Sequence, residues 1–339
     1  MKKPAMSAKR KTAIFSIPFN GDLRLMAWAV STGRVAEIYF AGDGENSSAL
    51  PLRSPQWLKD ERGLQSLVNL CAQNGVKSNL LCNQATLYFS DPGKVFDTVR
   101  SLKNLDAITV SDPYYLPLFA REFPNLDVQA SIIMELDNIH KLRWMLQLGA
   151  GSVVLPIYVN RRESVLKEIK NLKKDFPRLR IKLLANSTCL YSCPFSNWHY
   201  DAMVYPEIKR RKVPACRPQD CGMRFVTPED TLRRPFIRPE DTSYYMRRGY
   251  ADAFKLGFRT FETPALRRIL EAYFSGKYEG DLWELVKVHP NFPPGLRCEN
   301  SGFPDDFAKK AMRPEAYAQH SSYFKHIAAK VLRKNAKQK

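Results

Sequence analysis

The chain has 339 residues, 44% of them hydrophobic, and a formal net charge of +19. That length and apolar content suit one large domain or two ordinary ones and exclude a disordered chain. No apolar run is long enough to span a bilayer, and the N-terminal run 13–19 is broken by Pro18 and followed by Asn20, which makes a poor signal sequence. A cytoplasmic location without membrane contact is the expectation.

The charge is concentrated at the ends. Lys2, Lys3, Lys9, Arg10 and Lys11 lie in a segment without acidic residues, and so do Lys325, Lys330, Arg333, Lys334, Lys337 and Lys339. These eleven leave +8 of the +19 for the body of the chain. Basic arms hold RNA phosphates by counterion release, and they are equally common as solvated termini. The tail 1–11 reads as a flexible basic arm.

From residue 12 onward a strand-then-helix rhythm repeats. Short β-branched or aliphatic runs occupy 13–17, 36–40, 76–81, 107–110, 126–131, 152–157, 181–185 and 253–258. Helical spacing fills the intervals, as in Leu136, Ile139, Leu142 and Met145, or Val165, Leu166, Ile169 and Leu172, with Gly75 and Gly149 suited to C-caps. Thr263-Pro264 makes a cap and first turn. Eight parallel strands alternating with helices predict an α/β fold, a (β/α)8 TIM-like barrel over 12–290. A doubly wound sheet is the alternative, disfavoured because no Gly-rich phosphate turn follows the first strand. Residues 291–339 read as a C-terminal extension with one basic amphipathic helix.

Four of the seven cysteines fall between the seventh and eighth strands, in the spacing Cys189-x3-Cys193-x22-Cys216-x4-Cys221. Two close pairs joined by a longer loop can place four sulfurs on one small centre, and both zinc and an iron-sulfur cluster fit. A reducing cytosol weakens the disulfide reading, while unrelated buried thiols stay open as the plain one. In a barrel the working face is at the C-terminal ends of the strands. The insertion 186–240, rich in proline, would then roof the mouth around its metal.

The run NSTCLYSCPFSNWH, the segment Arg238-Pro239-Glu240-Asp241 and the element Phe-Lys-x-Gly-x-Arg ending at Arg259 together resemble the peptidase U32 family of collagenase-like barrel proteins. The resemblance is specific in these motifs and diffuse over 12–185. It implies a barrel carrying a 4Fe-4S cluster on Cys189, Cys193, Cys216 and Cys221. It also implies oxygen-independent hydroxylation of RNA bases or ubiquinone precursors more readily than proteolysis, with an electron-donor protein and a partner subunit of the same family as possible associates. Two departures limit the carry-over: Leu155-Pro156-Ile157-Tyr158 stands where many relatives have an Arg-Glu pair, and the cysteine-rich tail of some relatives is missing.

Other residues have two readings each. Lys255 and Arg259 alternate with apolar neighbours, so strand periodicity puts both cations on one face near the mouth, where they need an anion: a substrate group or Glu262. His199 is a proton donor beside the cluster or a packed loop histidine. Asn186 is a catalytic candidate, and Asn20, Asn83 and Asp112 are substrate-positioning candidates at strand ends; all four equally suit turn caps. Cys82 and Cys298 read as structural. The Cys-x3-Cys-x2-Cys pattern of radical adenosylmethionine enzymes and the His-Glu-x-x-His helix of metallopeptidases are absent. The expected function is an iron-sulfur redox or hydroxylation enzyme acting on a polar substrate such as an RNA base. A U32-type peptidase and an RNA-binding protein with structural zinc are the alternatives.

Overall fold

The computed structural model describes residues 12–41, 61–83, 92–187, 189–191, 193–194, 196, 227, 229–257, 259–286, 295–318 and 321–334. Residues 1–11, Lys337 and Lys339, the insertion's basic run Lys209-Arg210-Arg211-Lys212 (a further candidate for RNA phosphates in the sequence), His199, Cys216 and Cys221 lie outside the described residues.

The eight strands close into a parallel barrel in the order β1-β2-β3-β4-β5-β6-β7-β8. They are β1 (Phe15–Pro18), β2 (Val35–Phe40), β3 (Lys77–Cys82), β4 (Ala107–Val110), β5 (Asp127–Ala130), β6 (Ser152–Leu155), β7 (Arg180–Leu184) and β8 (Ala253–Lys255). Closure is made by β1 against β8, with Phe15 opposite Phe254 and Ser16 opposite Lys255. Each expected strand is present: β4 keeps its bounds, β3 and β7 shift by one residue, β2 gains one, and β1, β5, β6 and β8 are shorter. The largest difference is at β8, which ends at Lys255. There the ladder is diverted to side chains: Asn186 Oδ1 accepts from the Gly257 N–H (2.6 Å) and the Leu256 carbonyl accepts from Tyr39 Oη (2.6 Å). Arg259 therefore sits in a turn, and strand periodicity does not set its direction.

Helices α1 (Leu23–Ser31), α2 (Glu61–Gln73), α3 (Pro92–Ser101), α4 (Leu116–Glu122), α5 (Ile139–Gln147) and α6 (Glu163–Leu172) cross between successive strands up to β7. Helix α7 (Thr242–Arg248) precedes β8 and α8 (Thr263–Ser275) follows it. The outward strand residues, such as Phe15, Ile17, Ile38, Phe40, Leu80, Ile108, Val153, Ile181 and Phe254, join the helices in one continuous core. Helix α8 starts at Thr263 with proline in its first turn as expected, but the N-cap is Glu262 and the Thr263 hydroxyl donates to Asp22 (2.9 Å) instead of capping; Gly276 is the left-handed C-cap (φ 69°).

The C-terminal segment packs into the same core. Strand β9 (Leu296–Cys298) pairs antiparallel with β10 (Leu332–Lys334), and between them lie α9 (Phe307–Ala311) and α10 (Tyr323–Val331). Phe307 lies with its ring 6.2 Å from Phe236 and 4.7 Å from Phe303. Arg161, in the turn after β6, extends over Phe236 and Phe307 while its Nη2 donates to the Phe236 carbonyl (2.8 Å).

The Arg238–Asp241 motif is part of this junction. Buried Arg238 forms a two-point pair with Asp241 (both 2.9 Å) and lies 4.6 Å from the centre of the Phe303 ring. Glu240 Oε1 accepts from the Tyr278 N–H (2.7 Å) and from Asn300 Nδ2 (2.9 Å). The motif thus ties the C-terminal segment to the barrel.

Candidate functional site at the barrel mouth

Each residue singled out at a strand end has a definite set of neighbours. Asn20, after β1, donates through Nδ2 to the Phe261 carbonyl (3.2 Å) and to Thr263 Oγ1 (3.3 Å), and its Oδ1 accepts from the Asp22 N–H (3.2 Å). It fastens the β1 end to the β8–α8 turn. Asp112, after β4, accepts from the Tyr114 N–H (2.8 Å) and so closes its own turn. Asn83, after β3, is buried, and its Oδ1 has no donor among the described residues. Asn186, after β7, is fully buried; besides holding Gly257 it donates to the Leu285 carbonyl (3.3 Å). With both ends of its amide bonded to backbone, it positions the β7 and β8 ends relative to each other.

The cysteines divide by environment. Cys71, Cys82 and Cys298 are buried, and burial pushes the thiols of Cys71 and Cys82 up to about 12 and that of Cys298 well above its usual value. Cys189 is exposed and Cys193 half-buried, both just past the end of β7. Two accessible thiols four residues apart suit a thiolate-bound centre, whereas Cys71, Cys82 and Cys298 are each packed among apolar core residues.

The barrel interior is more unusual than its rim. Such interiors are normally filled by layers of valine, isoleucine and leucine. Here Ser16 donates to Glu37 (2.6 Å), Lys182 donates to Glu37 and to Gln129, Gln129 donates to Thr109 (2.9 Å), and Thr109 donates to Asn79 (2.9 Å). Strands β2 and β7 are not neighbours, so the Glu37–Lys182 pair must cross the lumen. Burial alone would raise the Glu37 carboxyl, but the Lys182 ammonium and the Ser16 hydroxyl outweigh it and hold the group below its usual value.

Lys255 faces this belt from β8. It is 9% exposed, and its ammonium nitrogen lies 4.1 Å from the centre of the Tyr39 ring. Among the described residues it has no hydrogen-bond acceptor and no carboxylate within ion-pair distance. Burial, with Lys182 and Arg259 nearby, brings its amine down to about 7 despite the opposing charge of Glu37. Arg259 is half-buried and close enough to Tyr39 to affect it electrically, and burial lowers its guanidinium as well. It makes no ion pair with Glu262 or any other described residue, so Glu262 is not its counter-ion.

Two groups, one at the mouth and one in the lumen, were missed from the sequence. Glu135, after β5, adopts a left-handed backbone (φ 49°), which is rare outside glycine, and burial raises its carboxyl although Tyr158 and Ser196 hydrogen-bond to it. Ser196 places Glu135 against the cysteine-bearing loop. The Glu37–Lys182 belt did leave a trace: a strand buried on both faces should read as an unbroken apolar run, and VAEIYF, RIKLL and AFK each carry a charge at an inward position.

Residues 26–193 match the family model described as Peptidase family U32. That span runs from α1 to Cys193, so it takes in the region where the motif resemblance was diffuse and two of the four cysteines. The uncharacterized protease MJ1657 of Methanocaldococcus jannaschii is 29% identical over 191 residues, covering 55% of this chain and 54% of its own length. The chain thus aligns with about half of that curated relative. Among solved structures, the U32 peptidase Mk0906 superposes with a TM-score of 0.49 at 15% identity, over 76% of this chain and 97% of that one. A tryptophan synthase chain of M. tuberculosis gives 0.41 at 9% identity, over 78% and 92%.

Proposed function

Since the chain belongs to peptidase family U32, we propose that it is a barrel enzyme working at the C-terminal mouth, with a 4Fe-4S cluster held by Cys189, Cys193, Cys216 and Cys221. The observation that carries this reading is the pair Cys189 and Cys193, the only two described cysteines that are not buried, standing directly after β7 on the face where barrels do their chemistry. A cluster bound by four thiolates has no open iron position and supplies electron transfer. The chemistry proposed is redox conversion or oxygen-independent hydroxylation of a polar, anionic substrate, of which an RNA base with its phosphates is one kind.

In this reading the chain's own residues bind and orient. Arg259 presents a guanidinium with no counter-ion among the described residues, which suits a phosphate or carboxylate. Asn186 fixes the spacing of the β7 and β8 ends and so the distance from the cysteine loop to Lys255 and Arg259. Glu135, with its raised carboxyl beside Ser196, is placed to hold or release a proton next to that loop. A role for His199 as proton donor is proposed on sequence position alone.

Binding of a short RNA to the full chain, followed across salt concentrations, tests the anion site. Arg259→Ala should weaken binding and lower the log–log salt slope by about 1, the change expected when a single phosphate is left without its cation. Arg259→Lys should keep the slope yet still weaken binding, because lysine retains the charge and loses the planar fork. Unchanged affinity and slope in both variants would contradict RNA as the substrate. Cleavage of a peptide substrate by metal-free protein would instead favour the peptidase that the relatives' names carry.

A further inference from the structure

We propose that Lys255 is a nucleophilic amine that condenses with a small aldehyde carrying an anionic group, forming an imine in the barrel mouth with Arg259 holding the anion. A lysine kept only as a buried charge should be paired, and this one has no hydrogen-bond acceptor or carboxylate partner among the described residues. Glu37 is committed to Ser16 and Lys182, the Tyr39 hydroxyl is committed to the Leu256 carbonyl, and Lys255 meets the face of the Tyr39 ring instead. The charged and titratable groups facing it are Glu37, Lys182, Arg259 and Tyr39. The two further cations disfavour a third positive charge, and burial acts in the same direction. The amine is therefore uncharged in a large fraction of molecules near neutrality, which is the state that attacks a carbonyl.

Its position suits the task. Lys255 is the last residue of β8, at the end of the strand that opens on the mouth, and the half-buried Arg259 lies four residues further along the chain. Arg259, like Lys255, has no ion-pair partner among the described residues. One ligand bearing an electrophilic carbon and an anionic tail satisfies both. The reaction is balanced without a redox partner. The Nζ lone pair forms a bond to the aldehyde carbon, and the carbonyl oxygen takes a proton. The carbon–oxygen bond then breaks as carbon–nitrogen double bonding forms, and one water leaves.

This inference rests on the reading of the mouth as the active site but not on the cluster. The test treats the full chain near pH 7 with limiting pyridoxal 5′-phosphate, reduces any imine with borohydride and locates the adduct by peptide mass mapping. Lys255 should be the principal site, because its uncharged fraction at that pH exceeds that of an ordinary lysine by roughly a thousandfold. Labelling should rise through a midpoint near 7, where surface lysines rise near 10. Lys255→Arg and Lys255→Met should each abolish the specific adduct while thermal unfolding reports that the barrel persists. Pyridoxal, the same aldehyde without phosphate, should label Lys255 about tenfold less well, and Arg259→Ala should erase that difference.

Labelling spread over surface lysines, with Lys255 unmodified in the folded wild-type chain, would overturn the proposal, and so would a midpoint near 10. Iron measured on the same samples separates this outcome from the cluster reading: iron without a Lys255 adduct removes the imine site alone, and an adduct without iron removes the cluster alone.

Discussion

Replacing any one of Cys189, Cys193, Cys216 and Cys221 by alanine is expected to strip the anaerobically prepared protein of iron, whereas Cys71→Ala and Cys82→Ala should keep it. A cluster bound by four thiolates loses a bond that water replaces poorly, and solvent already reaches the site at the exposed Cys189. Cys71, on α2, and Cys82, on β3, are instead packed among apolar residues of the barrel core. Their replacement costs packing alone, on the order of 1 kcal/mol for a group of this size. Iron lost from the Cys71 variant but kept by the Cys189 variant would place the centre elsewhere in the molecule.

The second large effect is expected inside the barrel. Glu37→Gln should destabilise the chain by about 3–5 kcal/mol in denaturant unfolding, because it leaves the Lys182 ammonium buried opposite a neutral amide. The double change Glu37→Gln with Lys182→Met should recover much of that loss, since the cost lies in the orphaned charge rather than in the absent pair. The folded Glu37 carboxyl is held below its ordinary value of 4.5, so its contribution is complete above that pH and disappears as the pH falls through the lower folded value. Acid unfolding should accordingly show a wild-type loss below about pH 4.5 that the double variant lacks. A single-variant cost under about 1 kcal/mol would mean that water screens the pair and the lumen is wet.

The barrel was legible because its signal is periodic. Eight short apolar runs, most of them separated by helical spacing, leave few topologies, and the eight-stranded closed sheet follows them closely. The lumen was harder to see. A single charged residue in VAEIYF or RIKLL looks like a solvent-facing position until the strand is known to be buried on both faces, and the partner of Glu37 is 145 residues away on a strand that does not touch β2. Arg259 illustrates the limit of alternation: the period holds only while the ladder does, and the ladder stops at Lys255 because Asn186 and Tyr39 take the next backbone groups. Asn20 and Asp112 sit at strand ends as expected, yet Asp112 is spent on its own turn and Asn20 on its own turn and the β8–α8 turn. Glu135 carries no sequence signal at all, since its left-handed backbone is a property of the turn after β5.

An iron-sulfur centre on the insertion after β7 is tested most directly by metal and sulfide analysis of the full chain prepared without oxygen. About four irons and four sulfides per chain are expected, with visible absorbance that bleaches on reduction. One zinc per chain, no sulfide and no visible absorbance after anaerobic reconstitution would contradict it.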